Sequence, residues 1–161
     1  VEILISLPHN ARMHTLPAPL ETALTTGDDT AALLATIAHF GCAAGTVHRL
    51  RADGLLHLTA HHHLPPPIVA IVSTVPLGKG IAGLAAERRE PISLCNLQTD
   101  TSGQARPAAK TTGMEGSLAI PMLTGGELRG VLGIAKAEAH DWTDEEKSRL
   151  LAIAARLGAM Q

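Results

Sequence analysis

His57, Thr59, His61 and His63 stand at every second position of one short run. Side chains of an extended strand alternate between faces with a period of two, so this spacing predicts one face carrying three imidazoles. Neutral imidazole nitrogens bind transition metals, and that is the chemistry such a face would offer. No Asp, Glu or Cys lies within the run, so it reads as a solvated or pocket-edge histidine face and no metal is expected. Cys42 and Cys95 lie far apart without a CxxC or Cys/His ligand spacing, which argues against structural zinc and predicts two buried, reduced thiols. Asp28-Asp29 and Asp144-Glu145-Glu146 read as helix starts, where carboxylates meet the positive end of the helix dipole. Ser102, Ser117 and Ser148 lack nucleophile-elbow surroundings. With no triad and no matched carboxylate pair, no catalytic residue is assigned and the chain is expected not to be an enzyme.

Gly78-Lys79-Gly80-Ile81-Ala82-Gly83 fits G-x-G-x-x-G, with Asp100 roughly 20 residues on, as a dinucleotide fingerprint requires. Pro65 to Pro67 and Pro76 interrupt the approach, however, and the rest of a doubly wound sheet is missing. The glycines are therefore expected to make a tight turn and to let the following helix approach a sheet. Its free N–H groups would still be able to meet an anion.

The elements that must position these residues follow from periodicity and punctuation. Val1 to Pro19 read as an irregular or loosely helical lead-in, placing a single domain over 19–161 after a lead-in of 1–18. Leu33, Leu34, Ile37, Ala38 and Phe40 keep helical spacing between the Asp28-Asp29 start and Gly41. Thr46 to Leu50 and Leu56 to His63 form a hairpin about Ala52-Asp53-Gly54, with Leu50 facing Leu56 and His48 facing Leu58. Ile68 to Ser73 reads as a short helix behind three prolines, Gly80 to Arg89 as a helix closed by Pro91, and Ile92 to Cys95 as a strand. Gln98 to Gly116 is polar and too long for an ordinary connection, which marks it as a lid over a ligand. Ser117 to Leu123 and Arg129 to Ala135 read as the central pair of an antiparallel sheet, joined by Thr124-Gly125-Gly126-Glu127. Thr143 and Glu146 make a capping-box pattern ahead of the stripe Leu150, Leu151, Ile153, Ala154 and Leu157. The order is that of an α+β fold.

Composition narrows the function. The 161 residues are 45% hydrophobic, with 13 Lys and Arg against 15 Asp and Glu, a net charge of −2. No run of like charge is read, which argues against a nucleic-acid or polybasic membrane surface. Phe40 and Trp142 are the whole aromatic complement, so few rings are available to stack on bases. No spanning segment or export signal is read, and a cytoplasmic protein is expected. The chain begins at Val1 without Met, as a processed protein or a piece of a longer one would.

From Pro19 to Ala159 the ordered strings resemble the GAF family. They are Gly45-Thr46-Val47, Asp53-Gly54, Val75-Pro76-Leu77-Gly78-Lys79-Gly80-Ile81-Ala82-Gly83 with Glu90-Pro91-Ile92, Ser117-Leu118-Ala119-Ile120-Pro121-Met122, Gly130-Val131-Leu132-Gly133 and Trp142-Thr143-Asp144-Glu145-Glu146. The resemblance implies a PAS-related central antiparallel sheet of about five to six strands. Terminal helices would cover one face, and pocket helices with the lid the other. It implies a non-catalytic, bacterial-type sensor module of a signalling system that binds a small molecule and acts on an output domain or a partner kinase, cyclase or transcription regulator. Homodimerisation through the terminal helices is expected, and a dimerisation module with a vestigial pocket is the alternative.

The family's free methionine sulfoxide reductase branch carries a cysteine where this chain has Ala82, and more in the lid, where this chain has none. Against the cyclic-nucleotide signature of related domains this chain offers Ala135-Lys136, Trp142 and Glu146-Lys147, which implies at most a structural ion pair between Lys136 and Glu146. Bilin or haem would fall to Cys95, His48 or His57, none in a matching motif. No cofactor is assigned, and the expected ligand is an unidentified small molecule. Its expected contacts, chosen by position and chemistry, are His57, Ile81, Ala82, Cys95, Asn96, Asp100, Arg106, Lys110, Thr112, Met114 and Ser117.

Overall fold

A computed structural model describes residues 16–160, so the lead-in expected over 1–18 lies almost wholly outside the described residues. Ala18 already opens a helix, α1 (Ala18–Thr26), which the sequence reading did not contain. Pro17 and Pro19 hid it, yet proline is tolerated in a first turn, where its missing N–H has no partner to lose. Next come α2 (Asp29–Phe40), β1 (Ala44–Leu50), β2 (Leu55–His62), α3 (Pro66–Ile71), β3 (Thr74–Pro76), α4 (Gly80–Arg88) and β4 (Ile92–Leu94). A 3-10 turn (Pro107–Thr112), β5 (Ser117–Thr124), β6 (Glu127–Ala135) and α5 (Asp144–Ala159) complete the chain. The strands form one antiparallel sheet in the order β3-β2-β1-β6-β5-β4, an α+β architecture with β1 and β6 at its centre.

Both faces of the sheet are covered, and strand alternation assigns each residue to one of two cores. Val47, Leu118, Ile120, Met122, Leu132 and Ile134 point to α1, α2 and α5, where Leu20, Leu33, Ile37, Leu150, Ile153 and Leu157 meet them. Leu56, Ala119 and Val131 point the other way, towards Val75, Ala85, Ala86 and Ile92. The expected hairpin register holds, with Leu50 opposite Leu56 and His48 opposite Leu58.

The three-histidine face does not form. His48 pairs with Leu58 but Val47 pairs with Ala60, so Thr59 is an extra residue that bulges from the ladder and switches the faces beyond it. His57 lies opposite Arg49 and therefore on the terminal-helix face, where its Nε2 meets Asp53 Oδ2 at 2.7 Å, while His61 lies opposite Thr46 on the other face. Among the described residues no group of three or more His, Cys, Asp or Glu is placed to hold a metal.

The bulged Thr59 hydroxyl donates to Asp29 Oδ2 at 2.6 Å. Arg49 Nε and Nη2 donate to the same carboxylate at 2.8 and 2.6 Å, and its guanidinium also donates to the Leu157 and Met160 carbonyls. One guanidinium thus ties the start of α2 and the end of α5 to the sheet. Burial alone would raise the Asp29 pKa, but the hydrogen bonds from Arg49 and Thr59 and the nearby positive charge hold it below its ordinary value. A depressed carboxylate pKa means stability that is present above the unfolded value, about 3.9, and is lost as pH falls through the folded value. Asp29→Asn is expected to cost about 2 kcal/mol at pH 7, between the worth of exposed and of fully buried pairs. Urea denaturation at pH 7 and pH 3 checks this, because the gap between variant and parent should narrow at pH 3.

Candidate functional site

Glycine geometry sets the entrance to α4. Gly78 and Gly80 sit at φ +87° and +65°, conformations that cost other residues free energy, and Gly78 N donates to Gly83 O at 2.8 Å. A Cβ on Gly83 would lie 2.5 Å from Pro76 O, so the helix packs on the turn through bare backbone, as the glycine run predicted. The N-cap Lys79 offers no side-chain cap. Helix geometry leaves the first-turn N–H groups without intrahelical acceptors, and Gly80, Ile81 and Ala82 of that turn line a cavity.

The cavity lies between the sheet and the segment 98–116 and has two adjoining lobes of about 160 and 130 Å³. Thr46, Leu64, Ile81, Ala82, Ala109 and Thr112 border both. Ile68, Ile71 and Val72 from α3 and its end wall the first lobe, with His48 and Arg106. The second runs over Ala119, Gly133 and Ala135 of the central strands towards Met114 and Ser117. A Cβ on Gly133 would lie 2.8 Å from Thr46 Oγ1, so the missing side chain keeps space open there. Each lobe compares with the roughly 150 Å³ cavity that accepts benzene and falls below the roughly 300–1,000 Å³ of drug-sized sites.

Two of the polar residues in this mainly apolar lining, His48 and Arg106, have a buried side-chain atom without a partner. His48 is 2% exposed, and its Nε2 lies 2.8 Å from Val72 O. A carbonyl oxygen only accepts, so the ring proton sits on Nε2 and Nδ1 is left as an acceptor. That Nδ1 is buried and has no partner. Burial lowers the His48 pKa, outweighing the Val72 carbonyl that would raise it, which keeps the ring neutral. Arg106 Nη1 is likewise buried and unpartnered. The Arg106 stem lies over Gly80, with Cγ and Cδ 3.1 and 3.2 Å from where a Cβ would stand, so the guanidinium is carried to the start of α4.

Of the expected contacts, Ile81, Ala82, Arg106, Thr112, Met114 and Ser117 border the cavity. His57, Cys95, Asn96, Asp100 and Lys110 do not. His57 is on the opposite face, and Cys95 is exposed. The other three fold the 98–116 segment on itself. Asn96 Oδ1 accepts from Gln98 N at 3.0 Å, Asp100 Oδ2 from Ser102 Oγ at 2.6 Å, and Lys110 Nζ donates to Asp100 O at 3.2 Å. Gln98 Nε2 closes the segment by donating to Lys110 O and Met114 O at 2.9 and 2.8 Å. Sequence reasoning named His48 only as a haem nominee and missed the α3 wall. The apolar run Ile68 to Val72 behind three prolines was the available signal for that wall.

The expected Lys136 to Glu146 pair is not among the described ion pairs. Lys136 Nζ donates instead to Phe40 O at 2.8 Å, at the negative end of α2, and sits 5.8 Å from the Trp142 ring centroid. Glu146 accepts from His140 Nε2 at 2.9 Å and from Thr143 N at 3.0 Å in the capping box. The thiols also part from expectation: Cys42 is half-buried, with a pKa pushed up to about 11 chiefly by burial, but Cys95 is exposed. A broader polar groove of about 480 Å³ lies at the Arg49 clamp, but Asp29 and two carbonyls already occupy that guanidinium.

Comparison with known proteins agrees with this architecture. The GAF domain of a phosphoenolpyruvate-protein phosphotransferase from Coxiella burnetii superposes with a TM-score of 0.69 at 27% identity, covering 94% of this chain and 86% of that one. A free methionine-R-sulfoxide reductase from Neisseria meningitidis, solved with its substrate, gives 0.70 at 13% identity over 88% and 85%. A GAF sensor protein described as putative, from Burkholderia vietnamiensis, gives 0.64 at 17% over 93% and 94%. No curated protein sequence matches the chain significantly. The family model of the GAF domain matches residues 30–160, and with the six-stranded sheet covered on both faces this establishes that the chain belongs to the GAF domain family.

Proposed function

We propose that this domain is a non-catalytic sensor that binds a small organic ligand beneath the 98–116 segment. The observation that carries the reading is a mainly apolar cavity bordered by His48 and Arg106, each of which has a buried polar atom, Nδ1 and Nη1, with no partner in the protein. Such atoms cost about 1–3 kcal/mol each when left unpaired, and a ligand that satisfied both would recover that free energy. Binding on this face would alter the order of the 98–116 segment and the packing of β1 and β6, whose alternate residues contact α2 and α5. An output domain or a partner kinase, cyclase or transcription regulator would read that change at the terminal helices.

The cavity lining supports binding over sulfoxide reduction, because Met114 is the only sulfur-bearing residue among its described walls and no thiol stands there as nucleophile. A second role in homodimerisation through the terminal helices would be disproved by sedimentation showing a monomer at micromolar concentrations. No helix among the described residues is long and apolar enough to cross a membrane. A thermal-shift screen of small organic acids, amines, amino acids and cyclic nucleotides tests the sensor reading. A ligand at 100 times its Kd is expected to add about 2.7 kcal/mol of stability. Failure of every class to raise the melting temperature would overturn the reading.

A further inference from the structure

We propose that the ligand is a short hydroxycarboxylate, with its carboxylate at Arg106 and the start of α4, its hydroxyl donating to His48 Nδ1, and its apolar body against α3. The inference rests on the sensor reading above and deepens it, since each ligand group is assigned from a group in the cavity.

The anion comes first. Arg106 brings a permanently charged guanidinium with a buried, unpartnered N–H, and Lys79 borders the same lobe. The α4 first turn presents its N–H groups there without a side-chain cap, so three independent features favour negative charge. Neither lobe has an Asp or Glu among its described walls. An ammonium group would therefore enter a positive site with no carboxylate to meet it, which disfavours amines and amino-acid zwitterions.

The hydroxyl follows from the histidine tautomer. Because Nε2–H is committed to Val72 O, Nδ1 can only accept, and the ligand must supply a donor. An oxo acid has no donor to give, and a plain fatty acid leaves Nδ1 unpaired. The apolar body follows from Ile68, Ile71, Val72 and Val75, and its size from a lobe of about 160 Å³. A branched chain of a few carbons fills that space.

Titration calorimetry of the parent with 2-hydroxy-3-methylbutyrate, its 2-oxo analogue, 3-methylbutyrate and valine tests the assignment. The hydroxy acid is expected to bind about 10-fold tighter than the acids lacking the donor, and Arg106→Gln to weaken it about 100-fold, as loss of a charged hydrogen bond in a dry site does. His48→Leu should erase the preference for the hydroxy acid over 3-methylbutyrate when both are compared on the variant, a readout of hydrogen bonding distinct from damage to the fold. If His48→Leu fails to fold, the ligand series on the parent protein carries the same comparison. Equal binding of all four compounds, or an unchanged affinity in Arg106→Gln, would overturn the inference. Binding of an amine or cyclic nucleotide in place of the acids would overturn it and leave the sensor reading standing, whereas no binding by any class would overturn both.

Discussion

Replacing Ala82 with phenylalanine is expected to abolish ligand binding and to leave the protein folded at close to its parent stability. Ala82 sits in the first turn of α4 and borders both lobes, so a side chain added there grows into the cavity from the helix. A benzyl group is about the size of the benzene that a cavity of roughly 150 Å³ accepts, and the larger lobe is about 160 Å³. The substituted ring takes the position of the ligand's apolar body and meets the same walls, Ile68, Val72 and Val75. Filling an existing void avoids the overpacking cost of enlarging a close-packed core. Affinity is expected to fall at least about 100-fold, with the melting temperature within about 3 °C, roughly 1 kcal/mol for a domain of this size. Calorimetry with the best stabiliser from the thermal-shift screen checks it. Binding within about 3-fold of the parent would place the ligand elsewhere.

Gly130→Ala is expected to have the largest effect on stability of any single methyl addition in the central strands. Its Cβ would stand 2.0 Å from His48 O and 3.1 Å from Arg49 Cα, and both obstacles are backbone of the neighbouring strand. The methyl can be admitted only by parting β1 from β6, the central pair of the sheet. The cost is expected to reach about 3 kcal/mol, the upper end of overpacking penalties, and to lower the melting temperature by about 6–12 °C. Gly133→Ala on the same strand is the internal comparison. Its nearest obstacle is Thr46 Oγ1 at 2.8 Å, the end of a side chain, which can rotate. Gly133→Ala should therefore cost about 1 kcal/mol or less, with lost cavity volume as its main consequence. Equal effects of the two substitutions in a calorimetric melt would contradict the packing described.

What the sequence made legible was what short-range rules govern. The capping box of Thr143 and Glu146, the hairpin register through Leu50 and Leu56, and the tight turn at Gly78 to Gly83 each depend on residues close in the chain, and each is present. The Gly80 helix ends at Arg88, one residue early, because Arg89 adopts φ +57° and closes it as a left-handed cap. The helix after the prolines is displaced to Pro66–Ile71 because those prolines occupy its first turn instead of preceding it.

The misses have a common physical origin in long-range partners. The bulge at Thr59 is recruited by Asp29, a distant residue, and no local pattern announces that His57 and His61 fall on opposite faces. β3 is three residues ending in Pro76, tolerable only because it is the edge strand. The cyclic-nucleotide signature implied a Lys136 to Glu146 pair, but a helix-end carbonyl and a histidine are their partners. Of the expected contacts in segment 98–116, Arg106, Thr112 and Met114 border the cavity. Asn96, Asp100 and Lys110 are polar too, but their groups are used to hold the segment's own backbone.

The most direct test of the cavity as the sensing site is methyl-resolved NMR of Ile, Leu and Val side chains during titration with 2-hydroxy-3-methylbutyrate and with the best stabiliser from the screen. Ile68, Ile71, Val72, Val75 and Ile81 are expected to shift first and most, because their side chains border the larger lobe. Ile153 and Leu150, packed in the core on the far side of the sheet, are expected to respond less. Shifts centred on methyls near the Arg49 groove, such as Leu50, or on the exposed Leu34 of α2, with the cavity methyls unmoved, would contradict the account.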